Sequence, residues 1–270
     1  MNPTADLDDF ARLIEALEPW LNQIVIIGGW AHRLHRMHPH AQPLDYPPLV
    51  TLDTDIALPL ALPADGAAIR ERMLDHGFTE DFVGTDHPPA THYHLGGRQS
   101  GFYAEFLTPL TGCDYDRRGN RKATADIGGI TSQQLRYIDL LLYEPWSIRF
   151  HNNEVHADVQ IANPASFLAQ KVLIHDHRDR ADRAKDILYM YDTLQTFGAQ
   201  LAELRQLWKN AIPSLPARSA KTVGRASQRV FGQLSDDIRR AAEISGERGL
   251  PPDEMRAACH YGFREVFEFG

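Results

Sequence analysis

The sequence predicts an α+β first part running to about residue 162, followed by a helical second part. Three observations carry that division. Between Ile24 and Ile161, short apolar or alternating runs recur at strand length, separated by glycine- and proline-rich breaks. At Asn163 the chain changes to NPASFLAQKVLI, an Asn followed by Pro at the first helical position, which reads as a helix start. Nearly everything beyond repeats at helical spacing, broken at Gly198, Pro213, Pro216 and the Gly249–Pro252 turn. The expected domains are therefore residues 1–162 and 163–270.

Taken in order, Asp6 to Leu21 reads as a helix, because Phe10, Leu13, Ile14, Leu17 and Trp20 repeat along one face. Ile24 to Ile27 is a short buried strand ending at Gly28 and Gly29. A helix begins after Trp30, but the four prolines between His38 and Pro48 make that stretch a loop. Val50 to Leu58, VTLDTDIAL, is a strand on which Asp53 and Asp55, two apart, share one face. Ala64 to His76 is a helix. Phe78 to Val83, His92 to Leu95 and Gly101 to Leu107 are strands, and residues 112–131 form an exposed excursion. Strands return at Ser147 to Phe150 and Val155 to Ile161. No internal repeat or low-complexity tract is present.

An apolar content of 43% with 24% charged residues fits a soluble globular chain. The net charge of −8 argues against general affinity for nucleic acid, although not against local patches. Cys113 and Cys259 belong to no CxxC or CxxH pair, which argues against a disulfide framework or a cysteine zinc site and makes a reducing cytoplasm the expected setting. The acidic N-terminus lacks the pattern of a signal peptide, and no apolar run is long enough for a membrane span.

The chemistry-bearing features occur in order: Gly28-Gly29 after a strand, Asp53-Thr-Asp55 on a strand, and Glu105 on a later one. Transfer of a nucleotide needs carboxylates converging on two divalent ions roughly 4 Å apart. Two same-face aspartates on a rigid strand supply most of that, and a third carboxylate completes it. Magnesium suits an all-oxygen donor set, and glycines at a strand-to-helix turn let backbone approach phosphate. Each part alone is weak: a strand DxD is commonly a polar edge, and Gly-Gly commonly a turn. Glu105 is flanked by apolar neighbours in FYAEFL, where a carboxylate needs a partner or a metal. Asp158, in VHADVQI, is the rival for the third position.

As a set, Gly-Gly-Trp-Ala, TLDTDIAL, AEFLTP and NPASFLAQKVLIH, followed by Arg178 and Lys185-Asp186, resemble the polymerase-β-like nucleotidyltransferases related to AbiEii and MenT toxins. The resemblance covers residues 24–195 and implies a mixed sheet with flanking helices, followed by a helical C-terminal part. It implies transfer of a nucleoside monophosphate from a nucleoside triphosphate with Mg2+ in a two-metal site. Asp53, Asp55 and Glu105 match the metal-binding and catalytic carboxylates, and Gly28 and Gly29 match the glycine turn. Lys171, Arg178, Lys185 and Asp186 match nucleotide-contacting positions, and the toxin relationship implies a cognate antitoxin as partner. The chain departs from the commoner Gly-Ser turn, and its stretch from Trp30 to Leu52 is about twice the usual length. That stretch holds His32, His35, His38 and His40, expected to form a solvated basic loop.

Lys171, Arg178 and Lys185 are spaced by seven, which on an unbroken helix forms one stripe with His175 and Asp182. Such cations answer charge growing on a transferred triphosphate. Arg180 and Arg183 read instead as part of a salt-bridged surface. From Leu204 to Ser235 there is no acidic residue, and Lys221, Arg225 and Arg229 recur every four residues as a basic ridge. The ridge serves either phosphate contacts to transfer RNA or docking against the acidic first half. The expected function is nucleotidyl transfer to an acceptor hydroxyl, the 3′ end of transfer RNA being the leading acceptor in a toxin. The alternatives are an adenylyltransferase of a small hydroxylated molecule of aminoglycoside type, or a non-catalytic binding protein on the same fold. His151 and His156 could serve as general bases, but their spacing does not separate them from ordinary strand polar residues.

Overall fold

The computed structural model describes residues 3–62, 68–85, 88–96, 101–115, 122–153, 155–215 and 219–269. They fall into two compact units, residues 1–34 with 50–162, and residues 35–49 with 163–270. The first is a mixed sheet with flanking helices and the second is helical, so the expected α+β fold class is observed. Among the described residues no helix is long and apolar enough to cross a membrane.

In the first unit α1 (Pro3–Ala16) precedes β1 (Val25–Ile27), which turns at Gly28 directly into α2 (Gly28–His35). Next come β2 (Asp53–Ala57), α3 (Ile69–Asp75), β3 (Phe78–Val83), β4 (Ala90–Leu95) and β5 (Tyr103–Pro109). The hairpin of β6 (Thr124–Ile127) and β7 (Ile130–Leu135), the short α4 (Ile138–Leu141), and β8 (Trp146–Asn152) with β9 (Val155–Ile161) complete it. The sheet order is β3-β4-β5-β2-β1-β9-β8. β2 runs antiparallel to β1 but parallel to β5. One side of β5 is shared: β4 pairs with its first half and β7 with its second.

Alternation along the strands assigns the two faces. Ile26, Ile56, Ala104, Phe106, Tyr93 and Ile161 belong to the larger core. In that core Phe10 of α1 stacks on Trp30 of α2 with ring centroids 4.0 Å apart, and Phe150 meets Phe10 edge-on at 5.1 Å. Trp30 of the Gly-Gly-Trp-Ala run is thus a core residue, and its aromatic packing fixes the angle at which α2 leaves the glycine turn. The opposite face carries a smaller cluster of Val25, Ile27, Ala57, Leu107, Ile138, Leu141 and Ala162. Asp53, Asp55 and Glu105 also alternate onto that face.

Part of the expected excursion is ordered sheet. Residues 124–131 lie in the β6–β7 hairpin, which pairs with β5 and buries Ile127 and Ile130. Residues 116–121 of the excursion, and the first turn expected at residues 64–67, lie outside the described residues.

The second unit contains α5 (Pro164–Ile174), α6 (Arg180–Thr196), α7 (Leu201–Ala211), α8 (Ser219–Phe231), α9 (Asp236–Ile244) and α10 (Pro252–Phe267). α5 starts as expected: the Asn163 side chain accepts the Ser166 backbone N–H at 2.9 Å, with Pro164 in the first turn. It is buried on nearly every side, as an apolar helix without an amphipathic stripe must be. The 35–49 segment is tied to this unit at Asp192. Tyr46 Oη donates to its carboxylate at 2.9 Å, Arg248 Nη1 at 2.7 Å, and the Gln42 N–H reaches Thr196 O at 2.8 Å. The histidines expected in a solvated loop divide: His32 and His35 are buried, because α2 runs through them, and His40 is exposed. His35 packs edge-on to Phe167 and Phe197.

Candidate active site

The register sets the candidate site in two ranks across the sheet. Asp55 lies level with Ile27 of β1 on one side and Glu105 of β5 on the other, and Glu105 is level with His92 and then Asp81. The second rank runs Asp53, Tyr103, His94. Adjacent strands lie about 4.8 Å apart, and residues i and i+2 about 6.6 Å apart. Asp53, Asp55 and Glu105 therefore occupy one corner of one face. All three are partly exposed, whereas the residues between them, Thr54 and Ala104, are fully buried.

Gly28 explains why the turn needs glycine. Its φ is +61°, a left-handed conformation that side chains disfavour, and a Cβ there would collide with Asp55 Oδ2. The Asp55 carboxylate thus rests against the bare backbone at the N-terminus of α2, where the helix dipole favours negative charge. Gly29 follows within the helix and is buried. Asp53 accepts a hydrogen bond from the Thr51 hydroxyl. Glu105 Oε2 lies 2.9 Å from His92 Nε2, and His94 Nε2 lies 3.8 Å from Asp81 Oδ2. Tyr103 stacks on His92 with centroids 4.8 Å apart and planes 11° from parallel.

His92, His94, Tyr103 and Thr51 were missed from the sequence. The signal available was the alternation in THYHL, which puts both histidines on the face that Glu105 occupies. The rival carboxylate, Asp158, shares this sheet face but not this corner. Ile161 is level with Ile26 on the parallel pair β1–β9, so Asp158 lies about four residues, or roughly 13 Å, down the strands from the Asp55 rank. It is exposed and hydrogen-bonded to Arg149 at 3.1 Å, which holds its carboxyl below the usual range.

The donor set fits a hard divalent cation: three carboxylates share one face, and the glycine backbone leaves room against one of them. As they stand, the carboxylates engage Thr51 and His92, and among the described residues no three His, Cys, Asp or Glu side chains close into a finished cage.

The charged residues of the second unit form a separate group. The stripe expected on one helix is broken: α5 ends at Ile174, a short 3-10 turn spans His175–His177, and α6 starts at Arg180. Asp179 caps α6 by accepting the Asp182 N–H at 2.9 Å, so its side chain specifies the restart. What the hairpin brings together is Lys171, Arg178 and Asp186. Lys171 Nζ lies 2.6 Å from Asp186 Oδ1, and Arg178 Nε lies 3.4 Å from Oδ2. Lys171 and Asp186 side chains are 8% and 2% exposed, so this is a buried pair, while Arg178 at 40% reaches solvent. Lys185 Nζ lies 5.6 Å from the Tyr189 ring, which Lys171 Nζ also approaches, at 5.5 Å.

α8 is amphipathic as read. Val223, Ala226 and Val230 are buried, while Lys221, Arg225 and Arg229 are exposed. With Lys209 of α7 they line an open groove of about 710 Å3, walled by Trp208 and Phe269. Arg229 pairs with Asp176 and Lys209 with Glu268, at 2.9 and 2.8 Å.

A sheet corner of gathered carboxylates beside a glycine turn into a helix is an arrangement that can take a divalent cation and a phosphate. A family model described as nucleotidyltransferase matches residues 5–213, and the chain belongs to that family. It is therefore a transferase enzyme whose donor is a nucleoside triphosphate and whose family works with divalent metal. No match was found among curated proteins.

Proposed function

We propose that the chain moves a nucleoside monophosphate from a nucleoside triphosphate to an RNA hydroxyl, the 3′ end of transfer RNA, with Mg2+. The observation that carries the reading is the shared sheet face of Asp53, Asp55 and Glu105, with Asp55 against the Gly28 turn. Magnesium, when bound, supplies positive charge that stabilises the developing phosphate charge and activates the acceptor oxygen. Asp53 and Asp55 hold it from one strand, and Glu105 joins from the next. The rigid sheet fixes their spacing. Gly28 and Gly29 let a phosphate oxygen approach backbone at the start of α2. Arg178 and Lys185 are assigned to donor phosphates through the resemblance, with Lys171 anchoring Asp186 beside them. Residues 1–162 serve as the catalytic part and 163–270 as the accessory part in this reading.

The exposed ridge of Lys221, Arg225 and Arg229 supports a polyanionic acceptor. The resemblance to AbiEii and MenT toxins supports a toxin role, in which a cognate antitoxin would silence the enzyme.

The test is incubation with labelled nucleoside triphosphates, Mg2+ and total transfer RNA. Label should enter RNA, and Asp53→Ala should lower the rate by about a thousandfold or more. An Asp53→Ala protein that turns over at the wild-type rate would remove the assignment. Label released as pyrophosphate only with a small hydroxylated acceptor would shift it to the aminoglycoside-type reading.

A further inference from the structure

The β8–β9 hairpin carries a second cluster that nucleotidyl transfer does not use. His151 and His156 are directly opposite each other across the antiparallel pair, and both are exposed. Their Nδ1 atoms are 2.6 Å apart, with ring centroids separated by 4.9 Å. Two rungs along the same face, Arg149 is opposite Asp158. These four residues and Ala157 line a surface cavity of about 380 Å3.

We propose that His151 and His156 form a binding site for a transition-metal ion of the zinc, nickel and copper class, separate from the carboxylate corner. Two Nδ1 atoms this close need something positive between them. With a proton on one ring they share a hydrogen bond. With both rings in the Nε2–H form, two lone pairs converge on one point and repel unless a cation takes them. Zinc–imidazole bonds are about 2.0–2.1 Å, so an ion between the rings needs them to part by less than about 1 Å, which exposed side chains can do. The opposed strand positions hold the two Cβ atoms about 4.5–5.5 Å apart, within reach of one ion.

The donor type sets the selectivity. Imidazole suits zinc, nickel and copper, whereas carboxylate and water suit magnesium, so the two corners of the sheet would take different ions. The two imidazoles are the protein's ligands, with water completing the shell. Arg149 beside the site does not repel the ion while Asp158 neutralises it.

The experiment is calorimetric titration of the whole chain with Zn2+ in millimolar-range Mg2+, alongside melting curves. Wild type should bind one zinc that Mg2+ does not displace, and its melting temperature should rise with zinc. Both His151→Ala and His156→Ala should weaken that binding by at least about tenfold and lose the thermal shift. Both positions are exposed, so the metal-free variants should melt with wild type and serve as their own folding control. Zinc binding unchanged in both variants would place the ion on other histidines and overturn the proposal, as would no binding by wild type. Nucleotidyl transfer is not read at any point, so failure here leaves the carboxylate assignment standing, and the converse also holds.

Discussion

Two charged regions of the molecule solve opposite problems. At the corner of the sheet in the first unit, three carboxylates share one face and remain partly exposed. In the second unit, Lys171, Arg178 and Asp186 bring both signs together, and the central pair is almost wholly buried. Gathering like charges is unfavourable unless a counter-charge arrives, which is the physical argument for the cation proposed there. The second is neutral within itself once Asp182, 3.1 Å from Arg178, is counted. Like charges held together by rigid strands point to a ligand, and opposite charges held together by helices point to scaffold.

Lys171 offers the largest effect with which to break that contrast. If the pair is scaffold, Lys171→Met leaves Asp186 buried beside only the partly exposed Arg178, and urea unfolding should show about 3–5 kcal/mol lost. The double variant Lys171→Met/Asp186→Leu should regain most of it, because both charges are then gone. A raised KM for the nucleoside triphosphate with unchanged unfolding would give Lys171 to the donor phosphates and dissolve the distinction.

Gly28 tests the other side. Gly28→Ala places a methyl where the Asp55 carboxylate rests and forces a side chain into φ +61°. The conformational penalty is only about 1–2 kcal/mol. Displacing Asp55 by an ångström, however, should cost about a hundredfold in kcat. A variant with near-normal melting and much reduced turnover is the expected outcome. Full activity would mean that Asp55 tolerates displacement, which a ligand to a catalytic ion does not.

The same contrast governs what the sequence made legible. Asp53 and Asp55 could be placed on one face because strand alternation is local: period two puts i and i+2 together whatever the rest of the chain does. The start of α5 was readable for the same reason, since Asn163-Pro164 caps its own helix. Choosing Glu105 over Asp158 needed register, which depends on strands far apart in sequence; only the pairing of β2 with β5 makes Glu105 level with Asp55. The stripe of Lys171, Arg178 and Lys185 failed at Asp179, a helix cap read as one more charge in HDHRDRADRAKD. The β6–β7 hairpin was hidden because its polar, glycine-rich composition resembles a loop, and its pairing partner β5 was needed to reveal it. His92 and His94 were visible as an alternating pair, but their meaning came from standing beside Glu105.

The smallest expected effect concerns pH and again separates the two regions. In the second unit, burial is the main cause that lowers both His38 and His175, and for His175 the Asp237 carboxylate only partly opposes it. A histidine whose folded pKa lies below its unfolded value of about 6.5 binds its proton more readily in the unfolded chain. Stability is therefore complete above that value and declines as pH falls from it toward the folded pKa. Asp192 is raised by burial, so its own protonation favours the folded state at lower pH and acts against the decline. The unfolding free energy of wild type should thus fall between pH 7 and pH values near 6, and His175→Gln should show a shallower slope, with His38 supplying the remainder. Identical slopes would mean that His175 is protonated as easily folded as unfolded, and that the second unit's internal neutrality does not extend to its histidines.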